Sequence, residues 1–125
     1  MLLIAMTAAT LGPAAARDRD TVPAATPAGK PQSCITRHRI SNSIVRSDDV
    51  IDFEMIDHKV YRNTLPGGCP GLGFQQAFSY STSIDQLCSS DIITVLYTSP
   101  LRSGASCGLG QFQPVTLAPR VSKPH

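Results

Sequence analysis

Four cysteines, three histidines and a short run of carboxylates are the side chains of this 125-residue chain whose chemistry goes beyond packing. The cysteines, Cys34, Cys69, Cys88 and Cys107, stand far apart in sequence. Structural zinc sites place their ligands in close pairs such as C-x-x-C, because neighbouring ligands must converge on one tetrahedral ion; no such pair is present here. An even set of cysteines in a small domain reads instead as two disulfides, which leaves no thiolate for nucleophilic catalysis.

His38, His58 and His125 are the candidate bases for a Ser–His–Asp hydrolase. None is well placed: His125 falls in a polar, Pro-broken tail, His58 at a hairpin tip, and His38 between Arg37 and Arg39, whose charges depress its basicity. A G-x-S-x-G elbow is missing too, so the histidines read as solvated surface groups. Asp48, Asp49, Asp52 and Glu54 form the one carboxylate cluster, but they lack a D-x-D-x-D-G calcium loop and are partly spread along a strand. A turn at Asp48-Asp49 and a cross-strand pair of Glu54 with Arg62 on an exposed face account for them. The glycine-rich stretch 66–73 is no phosphate loop, because no Gly-Lys-Ser/Thr follows it; glycines beside Cys69 permit a tight turn next to a disulfide. Tyr61, Tyr80 and Tyr97 remain as side chains that would line a ligand site. No metal or cofactor is assigned.

The elements that must position these residues are strands. Helical periodicity is almost absent, while short runs rich in Ile, Val, Tyr, Phe and Thr alternate with Gly, Pro, Asn and Ser. Ile51, Phe53 and Met55 alternate with Asp52 and Glu54, the period-two pattern of a half-buried strand. Residues 60–65 form its hairpin partner across a three-residue loop, Asp57-His58-Lys59, which sets Met55 opposite Tyr61, Ile51 opposite Leu65 and Glu54 opposite Arg62. Further strands are expected over residues 35–45, with a break at Arg37-His38-Arg39, over 91–98 with burial on both faces, and over 112–117, with a short one at Phe78-Ser79-Tyr80 and a helical turn near 83–87. The fold class is therefore mainly β, a small antiparallel five- or six-stranded barrel or sandwich with two disulfides.

Ahead of this domain, an apolar run from Leu2 to Leu11 is too short to span a bilayer and has the length of a signal-peptide core. Ala14-Ala15-Ala16 follows Gly12-Pro13 and precedes the charged Arg17-Asp18-Arg19-Asp20, so cleavage is expected after Ala16. Residues 1–16 are then a signal peptide, 17–32 a flexible Pro/Ala-rich linker, 33–119 the disulfide-stabilised β domain and 120–125 a flexible tail. Four cysteines admit three pairings; Cys34 with Cys107 and Cys69 with Cys88 is preferred on the ground that the first and last strands of a barrel meet, with the sequential pairing Cys34 to Cys69 and Cys88 to Cys107 left open.

The run Tyr61-Arg62-Asn63-Thr64-Leu65-Pro66-Gly67-Gly68-Cys69-Pro70-Gly71-Leu72-Gly73 resembles a family of small exported bacterial proteins catalogued only as a domain of unknown function. Leu87-Cys88-Ser89-Ser90-Asp91-Ile92-Ile93 and Cys107-Gly108-Leu109-Gly110-Gln111-Phe112 extend the resemblance over residues 34–115. It departs at His58, where Gly would suit a tight hairpin better. The resemblance implies a periplasmic or secreted location and four recurring cysteines, and brings no activity with it.

A formal charge of +2 with scattered basic residues excludes the concentrated positive surface that nucleic-acid binding needs. The expected function is that of an exported, non-catalytic binding or structural module of the cell envelope, its partner an envelope protein or envelope component, with no transmembrane segment left after cleavage. A small-ligand or metal-binding β-barrel is the alternative, and a small enzyme comes third.

Overall fold

The computed structural model describes residues 22–98 and 100–118. The expected signal peptide, the expected tail and His125 lie outside them. Among the described residues ten strands are found: β1 (Ala25–Pro27), β2 (Cys34–Thr36), β3 (Ile40–Val45), β4 (Val50–Met55), β5 (Val60–Thr64), β6 (Phe78–Tyr80), β7 (Gln86–Cys88), β8 (Ile92–Thr98), β9 (Leu101–Gly108) and β10 (Phe112–Leu117). A single helical turn, α1 (Leu72–Gln75), follows the glycine-rich loop, and a 3-10 turn, Arg37–Arg39, separates β2 from β3. The strands form three antiparallel sheets, ordered β1-β10-β5-β4-β3, β2-β7 and β6-β8-β9. The architecture is sandwich-like, not a closed barrel.

The core lies on the inner face of the five-stranded sheet. Ile51, Phe53 and Met55 of β4 and Phe112 of β10 pack with Ile93 and Val95 of β8 and with Leu87 of β7, all nearly or fully buried. The Phe53 ring meets Phe112 and Phe78 edge-on, at centroid separations of 5.6 and 6.4 Å, which ties the two larger sheets together. Asn63 is the fully buried polar side chain of this face; its amide donates to the Gly110 carbonyl at 2.7 Å and accepts from the Gly110 N–H at 2.8 Å, so neither half is left unpaired.

The β4–β5 hairpin has a three-residue loop, but it is Ile56-Asp57-His58, one residue earlier than expected. Met55 N–H donates to the Lys59 carbonyl and His58 N–H to the Met55 carbonyl, and His58 takes the left-handed conformation at φ 73°, the arrangement of a type I turn closed by a one-residue bulge. Phe53 therefore faces Tyr61, Asp52 faces Arg62 and Glu54 faces Val60. The shift is an even number of residues, so the inner face is unchanged. The exposed Glu54–Arg62 pair does not form; Arg62 bonds Asp52 instead. Because left-handed backbone costs a non-glycine residue roughly 1–2 kcal/mol, part of which glycine's extra unfolded-state freedom offsets, His58→Gly is expected to raise stability by roughly 0.5–1 kcal/mol. Urea denaturation at neutral pH checks it, and an unchanged or lower midpoint would count against the bulge geometry.

The disulfides join Cys34 to Cys88 and Cys69 to Cys107, which is neither the nested nor the sequential pairing. First and last strands do meet, since β1 pairs with β10 and Gln32 bridges Phe112. The segment that meets β10 ends there, however, two residues before Cys34, and the chain then turns to β7, where Cys34 and Cys88 are direct cross-strand partners. Residues 22–32 are likewise no free tether: they include β1, whose Pro27 sits on an edge strand where a missing N–H does no harm.

Two further expectations are corrected, and one strand is new. In β8, Ile93 and Val95 are buried while Ile92 is more than half exposed, so one face of this strand meets solvent. Residues 83–87 hold no helical turn; they lead into β7. An unexpected eight-residue strand, β9, pairs with β8 at the edge of the sheet and carries a bulge, with Gly104 and Ala105 together opposite Val95.

Candidate functional site

A concavity with polar and apolar lining lies beneath the β4–β5 hairpin tip. Two hydrogen-bonded walls build it. On one side the chain bows away from β10: Ala28 N–H donates to the Pro114 carbonyl at 2.8 Å, Gln32 and Phe112 exchange N–H···O bonds of 2.8 Å, and the Gly29-Lys30-Pro31 bow between them is pinned by the Gln113 amide, which donates to the Gly29 carbonyl at 2.8 Å. On the other side stands the hairpin loop, where the Asp57 carboxylate accepts from Lys59 N–H at 3.1 Å. Between them is a cleft of about 570 Å³ lined by Val60, Tyr61, Pro114 and Val115 of the strands and by Lys30, His58 and Lys59 of the bow and the hairpin end.

A smaller cleft of about 220 Å³ continues from it, sharing Gln32, Asp57, Lys59 and Tyr61 and adding Arg39, Thr36 and Gln86. Arg39 Nη2 lies 3.8 Å from the Asp57 carboxylate. Together the two clefts hold three full cations, Lys30, Lys59 and Arg39, against one carboxylate that is already bonded. Among the described residues neither lysine has a carboxylate within salt-bridge distance.

Of the three candidate tyrosines, Tyr61 lines both clefts, its ring largely buried between Phe53 on β4 and Pro114 on β10. Tyr80 stacks on Phe78 at 6.2 Å and borders a separate depression of about 530 Å³ with Ser79, Ser81 and Asp91. Tyr97 lies against Gly104, where a Cβ would come within 2.4 Å of the ring, and Arg102 covers its face at 4.7 Å. The three therefore do not share one site. All four cysteines are in disulfides, and no group of three His, Cys, Asp or Glu side chains converges among the described residues.

His38 has a partner the sequence did not reveal. Its ring Nδ1 bonds the Asp85 carboxylate, its backbone N–H donates to the same group at 3.0 Å, and Arg37 Nε lies 3.8 Å away. No hydroxyl bonds the ring's other nitrogen among the described residues, so the dyad lacks a nucleophile. The contact ties the 3-10 turn to the strand that follows Asp85. The His38 ring hydrogen bond, aided by the charges of His38 and Arg37, holds the Asp85 carboxyl below its ordinary value of 3.8. A carboxyl depressed in the folded state contributes stability above its unfolded pKa and loses it as pH falls through the lower folded one. The difference in unfolding midpoint between the parent and Asp85→Asn is therefore expected to shrink as pH falls below 3.8; a gap that persists to pH 2.5 would exclude the ionised pair as its source.

Phe74 of α1, 86% exposed, was also missed. Its loop is anchored by the Cys69–Cys107 bridge and by the Asp48 carboxylate, which accepts from Gly73 N–H at 2.8 Å. No helix among the described residues is long and apolar enough to cross a membrane. Comparison with family models, with curated proteins and with solved structures finds no match to this chain, and so lends no support to the resemblance carried by residues 61–73.

Proposed function

We propose that this chain is an exported, non-catalytic binding module that works in the periplasm or outside the cell and holds a component of the envelope in the cleft beneath the β4–β5 hairpin. The observation that carries the reading is the cleft itself. Its volume of about 570 Å³ falls within the roughly 300–1,000 Å³ typical of ligand sites, and its walls are fixed by backbone and side-chain hydrogen bonds before any ligand arrives. Two disulfides fit an oxidising compartment, and the residues around the cleft offer orientation and charge but no activated nucleophile.

A thermal-shift screen of envelope building blocks against the parent and a cleft-filling Thr116→Trp variant tests this. Thr116 is exposed on β10 at the cleft wall, so the bulky ring fills space without disturbing the core. Ligands that raise the parent's midpoint and leave the variant's unchanged support the reading; ligands that stabilise both alike place binding elsewhere. A second reading, docking of an envelope protein, is favoured by Phe74, an exposed aromatic side chain on an anchored loop, of the kind that anchors interfaces. Loss of a captured partner in Phe74→Ala with retention in Thr116→Trp would favour it.

A further inference from the structure

We infer that the ligand of this cleft is an acidic saccharide, an inference that rests on the cleft reading above and narrows it to one chemical class. Lys30 and Lys59 stand on opposite walls, one on the bow between β1 and β2 and the other at the start of the returning hairpin strand. Neither is neutralised by a carboxylate among the described residues. Asp57, the one acid of the rim, is turned toward its own loop N–H and toward Arg39. The field inside the cleft is therefore positive from two sides, although the whole molecule carries only +2, and a concave site with low-dielectric walls concentrates such a field.

What lies between the lysines selects a sugar. Gln32, Tyr61 and Thr116 bring polar groups to the lining, and Pro114, Val60 and Val115 bring apolar ones. A pyranose presents that pairing, hydroxyls around its edge and C–H groups on its face, and a carboxylate on it completes the match to a lysine. A long polyanion read by charge alone would need a basic track beyond the cleft, and the basic residues outside it are scattered and partly paired, as in Arg46, Arg62 and Arg37.

The test is calorimetric titration of the full chain with trigalacturonic acid and with neutral maltotriose at low salt. Trigalacturonic acid is expected to bind at least tenfold more tightly than maltotriose and to weaken several-fold at 200 mM NaCl, where surface charge is screened. Lys30→Gln/Lys59→Gln is expected to lower its affinity at least tenfold, and Thr116→Trp to abolish it. If Thr116→Trp abolishes binding while the lysine variant stays within twofold, or if maltotriose binds equally well, the acidic class is wrong and the cleft stands. Trigalacturonic acid that binds Thr116→Trp as it binds the parent would overturn both readings, and no binding to the parent overturns the acidic class. The lysine pair is on the surface, so its outcome does not depend on how well the tryptophan variant folds.

Discussion

Replacing Asp52 by Asn is expected to cost roughly 3–5 kcal/mol of folding stability, the penalty for breaking a buried ion pair on one side only. Asp52 is fully buried on the outer face of β4, and its carboxylate accepts from Arg46 Nε at 2.8 Å, Arg62 Nε at 2.8 Å and Arg62 Nη2 at 3.0 Å. The two arginine side chains are themselves only 17% and 15% exposed, so without the carboxylate each is held largely out of water with no counter-charge. A body of about 95 residues has roughly 5–14 kcal/mol of stability in all, and the variant would lose a large part of it. Replacing the whole triad by Met, Leu and Met is expected to restore most of the loss, since apolar side chains of similar volume carry no desolvation penalty. Urea midpoints of the single and triple variants decide the matter; a single variant within 1 kcal/mol of the parent would mean that water reaches the pair.

Converting Cys34 and Cys88 to Ser is expected to cost about 4 kcal/mol, and Cys69 with Cys107 nearly as much. The spans are 54 and 38 residues, and the entropy of closing loops of this size depends only on the logarithm of their length. Energy therefore barely separates the bridges, and covalent mapping must identify them. Trypsin leaves Cys69 and Cys88 on one peptide, residues 63–102, which is expected to emerge joined to both the Cys34 and the Cys107 peptides. Chymotryptic cleavage at Phe74, Phe78 or Tyr80 should then part it into two cross-linked pairs, Cys34 with Cys88 and Cys69 with Cys107. Cys34 found with Cys69 would overturn the pairing, and so would a 63–102 peptide bridged only to itself.

How far the sequence could be read depended on whether a feature was local. The alternation of Ile51, Phe53 and Met55 defined β4 and its core face, because periodicity reports burial directly. The break at Arg37-His38-Arg39 and the limits of β6 and β10 were equally plain. The hairpin register was displaced because its left-handed residue is His58, and only a glycine would have marked the spot. Nothing local announces β9, Leu-Arg-Ser-Gly-Ala-Ser-Cys-Gly, whose small residues have little strand preference and which is held by pairing with β8. Asp52 looked like an exposed member of the alternation because its burial comes from Arg46 and Arg62, 6 and 10 residues away, whose stems cover it. The disulfide pairing failed for the same reason, and so did the cleft: Lys30 and Lys59 meet across it only because β1 and β5 flank β10.

β9 is the outermost strand of its sheet, with eight residues and mostly solvent along its free side. Such an edge ordinarily invites a neighbouring molecule to continue the sheet, and a second to continue that one, which is how soluble chains begin to form fibres. The extra residue at Gly104-Ala105 divides the edge into two short runs whose hydrogen-bonding directions no longer agree. An incoming flat strand can satisfy one run or the other but not both. In a crowded compartment the same irregularity that bends β9 over Val95 thus keeps neighbouring copies from stacking on it.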